Sequence, residues 1–239
     1  MDQPIPLLLL PGLLNDARVW QPVIAAMSER QCQVADCSGH ASVAALAAAA
    51  LACAPPGPFA LAAFSLGGYV AFEILRRAPE RVAALALIAT SARPDSPESI
   101  IGRERMIAAL ENARSGAPGF DALAAAFLPR VVHASRVNDA ALGDLLLSMA
   151  RSVGPDEFVR QQRAAIGRPD SRPLLKDIRC KTLVLCGRED QVTPLDCSEE
   201  MASGIREAEL LVLERCGHMA PLEQPDAVIR AMSRWIDAV

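Results

Sequence analysis

The stretch from Phe59 to Ala78 constrains the fold more than any other part of this chain. An apolar, strand-like run, Phe59 to Ala63, passes directly into Phe64-Ser65-Leu66-Gly67-Gly68, and a helix-like segment continues to Ala78, ahead of Pro79. A strand that turns sharply into a helix needs small residues two positions either side of the turning residue, because bulky ones would clash. Ala63 and Gly67 meet that need. The residue at the turn is Ser65, whose hydroxyl would be lifted clear of the backbone. Serine among small residues also makes ordinary turns, so its chemistry has to be judged by its partners.

Two later apolar runs end in the groups a serine nucleophile requires. Leu183-Val184-Leu185-Cys186 leads into Gly187-Arg188-Glu189-Asp190, which places an acid in the loop after a buried strand. Leu210 to Leu213 leads through Glu214, Arg215, Cys216 and Gly217 to His218, which places an imidazole in the same position. A serine hydroxyl is a weak nucleophile until a base takes its proton, and an acid orients that base. The chain has three histidines, His40, His133 and His218, and only His218 closely follows an apolar strand. His218 is therefore the expected base, with Asp190, Glu189 and Asp95 as candidates for the acid. No chemical role is assigned to His40 or His133.

With these segments in view, the chain resembles the α/β-hydrolase superfamily, in its small, single-domain, esterase-like branch. The likeness is carried by Leu8-Leu9-Leu10-Pro11-Gly12-Leu13-Leu14, Ala63-Phe64-Ser65-Leu66-Gly67-Gly68, Gly187-Arg188-Glu189-Asp190 with Val192-Thr193-Pro194, and Gly217-His218-Met219-Ala220-Pro221, and it covers nearly the whole length. The order serine, acid, histidine is that of this superfamily and differs from the orders in chymotrypsin and subtilisin. The resemblance implies a catalytic Ser65, Asp190 and His218, with the backbone N–H groups of Leu13 and Leu66 as an oxyanion hole. It implies hydrolysis of a small or medium carboxylic ester through an acyl-enzyme. Thioesterases, carbon–carbon bond hydrolases, acyltransferases and perhydrolases use the same triad, and a non-catalytic ligand-binding member of the fold is the alternative of another class. A serine here argues against the superfamily's dehalogenases and epoxide hydrolases, which use a carboxylate. The chain departs from the family pattern in having Pro11-Gly12 for the usual His-Gly, Ala63 for Gly, and a loop Asp36 to Ser42 that is short of one Gly. These departures concern the entrance rather than the triad.

Strand-like and helix-like segments alternate along the chain, which predicts an α/β fold, a mostly parallel central sheet with helices on both faces. Strands are expected at Ile5 to Leu10, Gln33 to Asp36, Phe59 to Ala63, Val82 to Ala89, Thr182 to Cys186 and Glu209 to Leu213. Helices are expected at Ala17 to Arg30, Val43 to Cys53, Leu66 to Ala78 and Pro225 to Ala238. Between Ala92 and about Pro173 the strand signal vanishes, and helix-like pieces Ile100 to Ala113, Phe120 to Leu128, Asp139 to Val153 and Pro155 to Ile166 replace it. The division predicted is a core of residues 1–92 and 174–239 with a helical cap, 93–173, inserted over the site. Insertions at the carboxyl ends of strands shape pockets in open α/β sheets, so Met106, Phe120, Phe127, Leu146 and Phe158 are candidate substrate-binding residues. The cap arginines Arg103, Arg105, Arg130, Arg160 and Arg163 are interleaved with acids, as on a solvated helix face; one turned into the cleft would favour a carboxylate-bearing substrate.

A length of 239 residues suits one domain with a sizeable core. The formal net charge of −4, without a block of like charges, gives no electrostatic case for nucleic acid or an anionic membrane. Seven cysteines without a Cys-x-x-Cys pair indicate neither a disulfide framework nor a zinc site. The opening Met1-Asp2-Gln3-Pro4 lacks a basic region, and the short apolar run after it contains Pro6 and Pro11, so neither a signal peptide nor a membrane span is expected. The expectation is a cytoplasmic monomer or homodimer acting on a small-molecule ester without cofactor or metal.

Overall fold

The structure is a computed structural model and describes residues 4–113 and 119–239. Residues 1–3 and 114–118, which fall within the expected core and the expected cap, lie outside the described residues. Six strands, β1 (Leu7–Leu10), β2 (Cys32–Val34), β3 (Phe59–Phe64), β4 (Val82–Ile88), β5 (Lys181–Gly187) and β6 (Glu209–Leu213), form one sheet in the order β2-β1-β3-β4-β5-β6. Every pairing is parallel, so the sheet expected to be mostly parallel is wholly so.

Successive strand side chains point to opposite faces, and the sequence fills both faces with apolar groups. Leu8, Leu10, Leu61, Leu85 and Val184 pack with Leu46 and Ala50 of α2 (Val43–Cys53), Val70 and Ile74 of α3 (Leu66–Arg77) and Met201. Leu7, Leu9, Phe64, Ile88 and Leu185 pack on the other face with Val23 of α1 (Gln21–Ala26) and with Val228, Met232 and Trp235 near the carboxyl end. This two-sided burial is why the strands read as unbroken apolar runs instead of alternating ones.

After β1 the chain runs outward to β2 and then returns past β1 to β3. The order reverses between β1 and β3, so the segments that leave their paired carboxyl ends run in opposite directions across the sheet, the general position for a site in an open α/β sheet. Leu13 and Ser65 stand at its two sides.

Between β4 and β5 lie α4 (Pro97–Ala113), α5 (Phe120–Val131), α6 (Ala140–Val153), α7 (Pro155–Ile166) and the single turn α8 (Arg172–Leu175). Their shared apolar cluster centres on Phe158, which is fully buried, with Phe120 and Phe127 edge-on to it at 6.0 and 6.2 Å between ring centroids. The remaining helices are α9 (Leu195–Gly204), α10 (Ala220–Glu223) and α11 (Pro225–Ile236).

Several boundaries differ from expectation, each for a local reason. The helix expected from Ala17 to Arg30 is a short 3-10 turn, Ala17–Trp20, followed by α1. Pro22, which has no N–H to donate, is acceptable only in a helix's first turn and so marks the start of a new one. Helix α4 begins at Pro97, ahead of Ile100, because Ser96 caps it, its hydroxyl accepting from Ser99 N at 3.2 Å. Helix α5 runs through Pro129 to Val131, past the expected stop at Leu128. Helix α9 has no counterpart in the sequence reading, since Leu195-Asp196-Cys197-Ser198-Glu199-Glu200 shows little apolar periodicity.

Candidate active site

Ser65 is the residue at which β3 becomes α3, and its backbone lies at φ 52°, ψ −116°, a left-handed conformation that a side chain disfavours. Such strain costs on the order of 1–3 kcal/mol and persists only where surrounding contacts enforce it. Here Ser65 N–H donates to Ile88 O at 3.0 Å, and Ser65 O accepts from Gly68 N at 2.9 Å and from the Thr90 hydroxyl at 2.8 Å. The two glycines are fixed by close approach: a Cβ at Gly67 would stand 2.6 Å from Leu10 O, and one at Gly68 would fall inside the Thr90 side chain. Small residues after Ser65 thus let α3 start hard against β1 and β4.

The Ser65 hydroxyl lies 2.8 Å from His218 Nε2, and His218 Nδ1 lies 2.8 Å from Asp190 Oδ2. All three residues are at most 8% exposed. An ionised carboxylate can only accept, so Nδ1 carries the ring proton and Nε2 is left to accept from the serine. Asp190 Oδ1 accepts from the N–H groups of Val192 and Thr193 at 2.8 and 3.0 Å, and the Thr193 hydroxyl donates to Oδ2 at 2.9 Å. Burial alone would push this carboxyl upward, but the adjacent His218 and these donors outweigh it and hold Asp190 below the ordinary carboxylate range.

The rival acids are engaged elsewhere. Glu189 accepts from Cys216 N at 3.1 Å and so braces the loop leading to His218. Asp95, 3% exposed at its side chain, pairs with Arg103 at 2.6 Å and Arg168 at 2.5 Å. His40 is exposed, and His133 Nδ1 lies 2.7 Å from Ser135 Oγ.

The loop bearing His218 is held by a group that sequence reasoning missed. Glu223 in α10 accepts from Met219 N at 3.1 Å and from His133 N at 2.7 Å, so one carboxylate joins the His218 loop to the segment after α5. Burial raises the Glu223 carboxyl above the usual range, only partly opposed by the N–H groups of His133, Gly217 and Met219. Gln161 of α7 was likewise missed. Its Oε1 accepts from Leu14 N at 3.0 Å, and Leu14 is itself at φ 60° in the turn that carries Leu13. Thr90, Glu223 and Gln161 carry no motif of their own, and the fold alone brings them to these partners; Thr193 lies within the quoted Val192-Thr193-Pro194 segment and reaches Asp190 from three residues away.

Leu66 is the first residue of α3, where an N–H has no intrahelical acceptor. Leu13 lies in the turn Gly12 to Asn15, closed by Asn15 N to Gly12 O at 3.2 Å. Beside them is a cavity of about 70 Å³ lined by Leu13, Leu14, Phe127, Leu146, Met219 and His218 among others. Of the five pocket candidates, Phe127 and Leu146 line it, whereas Met106, Phe120 and Phe158 do not and pack among the helices instead. None of the five arginines singled out between β4 and β5 lines it: Arg103, Arg160 and Arg163 pair with Asp95, Glu157 and Glu111, and Arg105 and Arg130 are exposed. Larger hollows of about 440 and 520 Å³ are lined by none of Ser65, Asp190 or His218; Phe120 lines the first, and the second meets this cavity at Asn15.

The cysteines of the described residues are free thiols. Burial pushes Cys37 up to about 12 and raises Cys216 as well, which keeps both protonated and unreactive. Among the described residues no group of three or more His, Cys, Asp or Glu is placed to hold a metal ion. Nor is any helix among them long and apolar enough to cross a membrane.

A strand-to-helix serine at the switch point of a parallel sheet, with an acid and a histidine after later strands, defines a class, and comparison bears it out: the alpha/beta hydrolase family model matches residues 7–231, and the chain belongs to that family. Among individual relatives, the chain is 27% identical over 236 residues to a pimeloyl-[acyl-carrier protein] methyl ester esterase of Nitrosomonas europaea, covering 93% of this chain and 92% of the relative. It is 43% identical to a 2-hydroxy-6-oxo-6-phenylhexa-2,4-dienoate hydrolase of Comamonas testosteroni, but over only 69 residues, 29% of this chain and 24% of that protein. Among solved structures, a thermophilic esterase of Thermogutta terrifontis superposes with a TM-score of 0.85 at 32% identity, covering 98% of this chain and 90% of the esterase.

Proposed function

We infer that this protein is a serine-dependent carboxylic-ester hydrolase with Ser65 as nucleophile, His218 as general base and acid, and Asp190 as the residue that orients the imidazole. The observation that carries this reading is the continuous hydrogen-bonded chain from Ser65 Oγ through both His218 nitrogens to Asp190, buried at the carboxyl ends of β3, β5 and β6. As Ser65 Oγ attacks the acyl carbonyl, His218 Nε2 takes its proton and Asp190 stabilises the imidazolium. The tetrahedral oxyanion is received by the N–H groups of Leu13 and Leu66, which are preorganised by the Gly12 to Asn15 turn and by the start of α3. His218 returns the proton to the leaving alkoxide, then activates water to release the acid. In this reading the segment 93–173 serves as a cap on the core of residues 1–92 and 174–239, with Phe127 and Leu146 facing substrate. The esterases that resemble this chain do so over nearly its whole length at 27% and 32% identity, whereas a meta-cleavage product hydrolase covers as much of it at 22%, which favours ester over carbon–carbon cleavage.

The test is hydrolysis of p-nitrophenyl esters by the full chain beside Ser65→Ala and His218→Ala. Each substitution is expected to lower turnover by about a million-fold, the scale on which a serine triad fails when one member is removed. A fluorophosphonate should label Ser65 stoichiometrically. Turnover that survives Ser65→Ala would move the chemistry to another residue, and a chain that neither turns over nor labels would be a non-catalytic member of the fold.

A further inference from the structure

We propose that the cavity beside His218 selects a short, uncharged apolar group of about four to six carbons, so that the natural ester carries such a group on one side of its carbonyl. The inference rests on the serine-hydrolase reading for its chemistry, but on the cavity alone for its selectivity. Leu13 and Leu14 contribute one wall from the core, Phe127 and Val131 another from α5, and Leu146 and Ala150 a third from α6. At roughly 10–15 Å³ for each water-sized group, about 70 Å³ holds about five to seven non-hydrogen atoms, well short of the roughly 300 Å³ at which sites for larger ligands begin.

The walls are not readily pushed back. Phe127 leans on the fully buried Phe158, and Leu146 is 7% exposed, so a longer chain must either displace close-packed side chains or run out past the half-buried Leu128, Val131 and Leu147, where it gains little further burial. A misfit of a single methylene changes selectivity by roughly 10- to 200-fold, which is enough to make the cutoff sharp.

Charge is excluded on separate grounds. Among the lining residues only Asn15 and His218 have polar side chains, and no lysine or arginine is present to meet a carboxylate. A carboxylate buried without a partner is strongly disfavoured. A substrate with a terminal carboxylate on this side of its carbonyl would therefore bind far more weakly than its neutral counterpart of equal length.

The experiment measures kcat/KM of the full chain for p-nitrophenyl acetate through dodecanoate, and for p-nitrophenyl pentanoate against the glutarate half-ester of the same length. The expected result is a maximum at about four to six carbons, at least a tenfold fall by decanoate, and at least a hundredfold preference for pentanoate over the half-ester. In Leu146→Ala the optimum should move up by about two or three carbons, the length removed from the wall. If that variant does not fold, Ala124→Val narrows the same cavity and should move the optimum down. A maximum at ten carbons or more, or equal turnover of charged and neutral esters, overturns the proposal.

A parallel measurement separates it from the catalytic reading. Methyl ketones of the same lengths are not cleaved, and their binding to Ser65→Ala can be followed by saturation-transfer NMR. Ketones of four to six chain carbons that bind while every ester stays intact would support the cavity and sink the esterase. Ketones that bind regardless of length would sink the cavity even if esters are cleaved.

Discussion

Ser65, Asp190 and His218 were legible in the sequence because each is a chemically reactive residue type placed just past an apolar run, and each sits there in the fold, joined by bonds of 2.8 Å. The groups that support them were not legible. Thr90 and Glu223 are ordinary residues until the fold brings them to Ser65 O and the His218 loop. Two predictions belong at this scale. Gly68→Ala would drive a methyl into Thr90 and should destabilise the protein by about 1–3 kcal/mol, read from urea unfolding. Asp190 has its carboxyl held below the unfolded value, so its ionised form adds stability that is full above the ordinary carboxyl pKa of about 3.9 and is lost as pH falls through the lower folded value. The difference in Tm between the native chain and Asp190→Asn should accordingly shrink as pH falls through the acid range, and a difference that stayed constant would refute the assignment of that charge.

Two helices were read to their ends: α2 and α7 begin and end as expected, with Ser42 capping the first and Pro155 opening the second. Failures came where tertiary contact overrode local preference. Helix α5 outlasts Pro129 because its last turn is engaged from outside, with Val131 O accepting from Met219 N at 3.0 Å, next to His218. Helix α7 shows the same dependence, since Gln161, which no sequence pattern singles out, is 3% exposed and satisfies the N–H of Leu14. Replacing it, as in Gln161→Leu, leaves that buried donor unpaired and should destabilise the protein by about 1–3 kcal/mol. Because Leu14 follows the proposed oxyanion donor Leu13, kcat should fall more than KM rises. A variant with reduced stability but native kcat would show that the bond holds the helix and nothing more.

For the molecule as a whole, the alternation of apolar segments was enough to read a parallel sheet, and that sheet's reversal between β1 and β3 determines where a site can be. How the helical segment is fastened was not readable, because its clamp is ionic and formed from distant residues. Asp95 joins Arg103 of α4 to Arg168, and the Arg168 guanidinium lies 4.1 Å above the Tyr69 ring of α3. Asp95→Ala would strand a cation that is 8% exposed and should cost about 3–5 kcal/mol in chemical unfolding, while the folded fraction keeps its turnover if Asp190 is the acid. The bond between Ser65 and His218 spans 153 residues and reaches the last strand of the sheet. At ribosomal rates of roughly 5–20 residues per second, about 8–30 s pass between the making of the serine and the making of its histidine. Throughout that interval Ser65 stands without His218, so under the proposed mechanism its hydroxyl stays unactivated until the final strand has docked.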